Sequence, residues 1–120
     1  MMKLYLGIRQ ANTHLYLAAL DNQGVAVFKT CFPSDCPPEA VTNSLKALQL
    51  AFSAPLRIAT CLEEPNQQPL LEAIQKEFSL VKSFSPSVLY STDIIPEEPF
   101  ASPDPYSYPI LLAILDSLSE

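Results

Sequence analysis

Lys3-Leu4-Tyr5-Leu6-Gly7-Ile8-Arg9, then His14-Leu15-Tyr16-Leu17-Ala18-Ala19-Leu20, then Val25-Ala26-Val27-Phe28-Lys29-Thr30-Cys31-Phe32: the reading of these three runs decides the fold. The first, Lys3 to Ile8, is apolar on both faces, the pattern of a central strand covered on each side. The second alternates, with Leu15, Leu17 and Ala19 on one face and His14, Tyr16 and Ala18 on the other. Asp21-Asn22-Gln23-Gly24 supplies a hairpin turn, in which Asn22 and Gly24 suit positive φ. The third run forms the edge of the meander, where Lys29 discourages pairing with other chains.

Downstream the period changes. Ser34 or Asp35 is expected to cap a helix whose first turn holds Pro37, Pro38 and Glu39. Val41, Leu45, Leu48 and Phe52 then recur at helical spacing, so Glu39 to Phe52 reads as an amphipathic helix ended by Ser53-Ala54-Pro55. Leu56 to Leu62 reads as a fourth strand. Gln68 to Phe78 reads as a second helix burying Leu70, Leu71, Ile74 and Phe78, and Leu80 to Phe84 as a fifth strand. Residues 85–109 carry Pro86, Pro96, Pro99, Pro103, Pro105 and Pro109, which forbid a long regular helix and leave at most a helical turn near Val88 to Tyr90. The run from Pro109 to Leu118 is apolar on most sides and reads as a final helix, packed into the body or against another chain.

The 120 residues amount to a single domain, 1–120, with one hydrophobic core. Apolar residues make up 48% of the chain, which places it among globular and not disordered sequences. The net charge of −6 disfavours nucleic acid, because affinity for phosphates rests on Lys and Arg, and the seven here form no run. Cys31, Cys36 and Cys61 leave at least one thiol unpaired in any disulfide scheme and suit a reducing compartment. Zinc is disfavoured by the absence of a CxxC pair and the presence of one histidine, His14. The N-terminal apolar stretch is too short for a signal peptide, and no run approaches the ~20 apolar residues of a membrane span. The expected location is the cytoplasm, without membrane association.

The order β-β-β-α-β-α-β-α, a hairpin meander followed by α/β crossovers, gives an α/β mixed sheet with helices on both faces, the ribonuclease H-like core. Within that class the chain resembles the N-terminal RuvC-like (DEDD) domain of IS110-family transposases. The residues carrying the resemblance are Tyr5-Leu6-Gly7-Ile8-Arg9, Leu20-Asp21-Asn22-Gln23-Gly24, Ile58-Ala59-Thr60-Cys61 leading to Asn66-Gln67-Gln68-Pro69-Leu70, Ser85-Pro86, and Ser102-Pro103-Asp104-Pro105-Tyr106-Ser107. The resemblance implies four metal-binding carboxylates. This chain has Arg9, Cys61, Asp104 and Ser107 at those positions, so one of the four remains. Two-metal phosphodiester hydrolysis needs several carboxylates holding ions about 4 Å apart. A guanidinium repels cations and is not deprotonated.

The expectation is therefore a domain that is not an enzyme, with no cofactor and no metal, acting as a protein-interaction or scaffold module. Its partner is another protein or a second copy. Tyr90, Phe100, Tyr106 and Tyr108 are candidates for the contact surface, since Tyr gives large contact area at low entropic cost. The alternative is a diverged transposase-like nuclease domain that keeps residual nucleic-acid or metal binding. Glu63, Glu64 and Asp104 are the candidates for a shifted acidic cluster, with an exposed Arg–Glu pair as the plainer reading. A nucleotide-binding reading fails on the first loop, Arg9-Gln10-Ala11-Asn12-Thr13, which has no glycine to bring backbone N–H groups to a phosphate. Cys61 with His14 as nucleophile and base has no sequence support.

Overall fold

The computed structural model describes residues 3–11, 13–62, 67–84 and 106–118. Its strands are β1 (Leu4–Ala11), β2 (His14–Leu20), β3 (Ala26–Pro33), β4 (Leu56–Cys61) and β5 (Val81–Ser83); its helices are α1 (Pro38–Phe52), α2 (Gln68–Glu77) and α3 (Ser107–Leu118). The five strands form one sheet in the order β3-β2-β1-β4-β5. β1 is antiparallel to β2 and parallel to β4, β2 is antiparallel to β3, and β4 is parallel to β5. This is the ribonuclease H-like fold, with β1 central and β3 at the outer edge.

Alternation along the strands sorts the side chains into two layers. Leu4, Leu6, Ile8, Leu15, Leu17, Leu56 and Ile58 point to the first face and pack with Val41, Leu45 and Leu48 of α1 and Leu70 and Ile74 of α2. Burying each such side chain contributes roughly 1.5–3 kcal/mol, so this layer is the main source of stability. The second face carries Tyr5, Leu20, Ala59 and Cys61 under Leu111, Leu112 and Ala113 of α3. α3 lies low on the sheet because Gly7 has no side chain: a Cβ there would collide with the Pro109 backbone. Arg57 on β4 clasps Asp116 on α3 through Nε to Oδ2 at 3.2 Å and a terminal guanidinium nitrogen to Oδ1 at 3.0 Å.

Several local expectations are corrected. α1 is not capped by Ser34 or Asp35; its N-cap is Pro37, at φ −61 and ψ 141, with no side-chain cap bond. A residue preceding proline is held extended, so the Pro37-Pro38 pair sets the helix start downstream of both polar residues. In the β2–β3 turn only Gly24 takes positive φ, at 84°; Asn22 does not. The turn is instead organised by Asp21, whose Oδ1 accepts from the Gln23 and Val25 N–H groups, each at 2.9 Å. β1 runs to Ala11, beyond the Ile8 end read from hydropathy, because β2 pairs with it through Ala11↔His14.

At its far end α1 closes with Ser53 in the left-handed region, φ 49 and ψ 43. The Ser53 N–H donates to the Leu50 carbonyl at 3.2 Å and the Ala54 N–H to the Gln49 carbonyl at 3.4 Å. This is a Schellman closure with serine where glycine is usual. Among the described residues no helix is long and apolar enough to cross a membrane.

Candidate functional site

The parallel pairing of β1 with β4 sets Arg9 directly beside Cys61, and the antiparallel pairing of β1 with β2 sets Arg9 beside Tyr16. All three residues lie on the second face, Arg9 and Cys61 toward the carboxyl ends of β1 and β4 and Tyr16 beside them toward the amino end of β2, on the side where sheets of this kind carry ligands. Two of the four candidate site positions thus meet in the structure. Arg9 is half-buried. Cys61 is 4% exposed and packs with Ala59, Leu111 and Leu112, with Phe84 and Leu115 at the margin. Its thiol belongs to the apolar seam between β4 and α3. Ser107 is the first residue of α3.

Asp104 lies outside the described residues, as do Glu63 and Glu64, and with them the whole candidate acidic cluster. Tyr90 and Phe100 of the candidate contact surface also lie outside them, as does the expected helical turn near Val88 to Tyr90. Tyr108 falls in the first turn of α3. Among the described residues no group of three or more His, Cys, Asp or Glu side chains is arranged to hold a metal ion.

Tyr106, immediately before α3, meets Tyr16 edge-on, with ring centroids 5.6 Å apart and planes at 85°. That geometry sets a ring edge, which is positive, against a negative ring face. Lys29 Nζ lies 5.6 Å from the Tyr106 centroid, a cation–π contact that reaches from the edge strand to the start of α3. His14 is exposed, with its ring 6.1 Å from Tyr16 and Nδ1 3.0 Å from Thr13 Oγ1. It pairs with Ala11, one β1 repeat beyond Arg9, and so stands apart from the Cys61 seam.

Sequence reasoning missed the Lys29–Tyr106–Tyr16 stack and the Arg57–Asp116 pair. For the pair a signal was present: Asp116 is the only charged residue in α3, and Arg57 interrupts an apolar strand. Lone charges on apolar elements call for partners. For the stack no such signal exists, because it depends on where α3 lands on the meander.

Among the cysteines, Cys31 is exposed, Cys36 half-buried and Cys61 buried. Burial, reinforced by the Asp35 carboxylate, pushes the Cys36 thiol up from its ordinary value. No protein-family model matches the chain, and no curated protein sequence matches it.

Proposed function

We propose that this chain is a catalytically silent relative of the RuvC-like domain of IS110-family transposases, and that it acts through protein contact. One observation carries the reading: Arg9 and Cys61 are register partners at the carboxyl ends of β1 and β4. In the resembled family both positions hold carboxylates. Here one presents a guanidinium, and the other a thiol packed against Leu111 and Leu112. Neither attracts a divalent cation that prefers oxygen ligands. The net charge of −6 supports a protein partner over a polyanion. The stacked Tyr16 and Tyr106 rings supply the kind of aromatic surface that protein contacts use.

Thermal denaturation with added Mg²⁺ or Mn²⁺ tests this. An ion that binds the folded state raises Tm by mass action. The reading expects an unchanged Tm at millimolar metal. A rise of several degrees that saturates with concentration would refute it and favour a nuclease-derived domain with residual metal binding.

A further inference from the structure

The outer strand of the sheet carries a self-complementary pattern. Among the described residues no strand lies beyond β3, while the opposite edge, β5, is only three residues long. β3 is eight residues long and alternates in exposure: Phe28, Thr30 and Phe32 are half-buried on the first face, and Lys29 and Cys31 are exposed on the second. The Ser34 N–H donates to the Thr13 carbonyl at 2.8 Å, which fixes the phase of the β2–β3 ladder. Counting back along the register, Leu15↔Phe32, Leu17↔Thr30 and Ala19↔Phe28 are the hydrogen-bonded pairs. The backbone N–H and C=O groups of Lys29 and Cys31 therefore point away from β2, toward the outer edge.

We propose that a second copy of this chain pairs antiparallel with that edge, β3 against β3, about a two-fold axis at Thr30. This inference rests on the protein-contact reading and names its surface. With the dyad at Thr30, Lys29 of each copy lies opposite Cys31 of the other, so the outward groups form closely bonded pairs on both sides of the axis. Phe28 lies opposite Phe32 of the other copy, twice, and each aromatic pair buries surface that β3 leaves half open. The two Thr30 side chains meet at the centre. Neighbouring registers lose these features. A dyad at Lys29 sets two ammonium groups face to face, and a dyad at Cys31 separates Phe28 from Phe32 and places Lys29 opposite Pro33, which has no N–H to give; in the chosen register Pro33 faces Val27, where the bulge of β3 already interrupts the ladder. Lys29 does not obstruct the approach, because its side chain lies over the Tyr106 ring on the second face.

Light scattering after size exclusion is expected to give twice the 13.2 kDa chain mass. Cys31→Pro removes one outward donor and no bond to β2, a substitution that edge strands tolerate. It is expected to abolish the dimer while leaving the far-ultraviolet circular dichroism intact. Thr30→Cys, in a Cys31→Ser, Cys36→Ser background, places two thiols across a non-hydrogen-bonded pair with Cα atoms about 4.5 Å apart, within disulfide reach. Mild oxidation is expected to give a covalent dimer that reduction reverses. A mass of 13.2 kDa at every concentration overturns the proposal, as does oxidative linkage through native Cys31 in the unsubstituted chain, which requires another register. A dimer indifferent to Cys31→Pro and not linked through Thr30→Cys also overturns it, yet leaves protein contact standing. A monomer whose Tm rises with Mn²⁺ removes both readings.

Discussion

Replacing Asp116 by alanine removes the carboxylate that holds Arg57 and leaves a guanidinium under α3. The two side chains are unequally buried: 21% of the Arg57 side chain remains accessible and 2% of Asp116. Breaking a fully buried pair by deleting one partner costs about 3–5 kcal/mol, because the surviving charge is left uncompensated. Arg57 recovers part of its hydration through its accessible fraction, which lowers the expected loss to about 2–3 kcal/mol. For a chain of this size each kcal/mol moves Tm by roughly 3–6 °C, so the midpoint should fall by about 10 °C. Urea denaturation followed by circular dichroism gives the free energy directly. The double variant Arg57→Met, Asp116→Leu fills the same space without charge and should return to within about 1 kcal/mol of the starting chain. A single-variant loss below about 1 kcal/mol, or a double variant no more stable than the single, would refute the argument that burial of the charge sets the cost.

Four further outcomes follow from local structure. Gly7→Ala places a methyl group on the Pro109 backbone, so α3 must lift, and urea denaturation should register a loss of about 1–3 kcal/mol. Ser53→Gly relieves a left-handed residue at the end of α1 and should stabilise the chain by about 0.5–1 kcal/mol in the same assay, with a loss counting against the Schellman reading. Cys36 should react more slowly than Cys31 with a thiolate-specific reagent at mildly alkaline pH. Because its folded value lies above the unfolded one, the neutral thiol contributes stability that is complete below the unfolded value and lost as pH rises through the folded one. Cys36→Ala should therefore flatten the alkaline limb of the stability profile.

The element order was legible because each element announces itself locally. Alternation marks β2, helical spacing of Val41, Leu45 and Leu48 marks α1, and prolines punctuate the starts of α1 and α2. Boundaries were less legible where a neighbour decides them. β1 extends through Arg9 to Ala11 because β2 supplies hydrogen-bond partners, and no property of Arg9 or Gln10 forecasts that. The candidate site divides in the same way. That Arg9 and Cys61 replace carboxylates is read from residue identity, whereas their adjacency requires the parallel register of β1 with β4. The burial of Cys61 requires α3, whose resting place follows from a missing side chain at Gly7.

That resting place bears on how the molecule is assembled. The first strand and the last helix lock together at Gly7 and Pro109, across nearly the whole length of the described chain. Contacts between residues so distant in sequence form only after a long loop has closed, which slows folding. Until then the meander and β4 can gather against α1 and α2, with Ala18, Leu20, Ala59 and Cys61 open to water on the other side. Any form of the chain in which α3 has not yet docked presents a one-sided sheet with an apolar underside, the kind of exposed surface through which nascent copies aggregate.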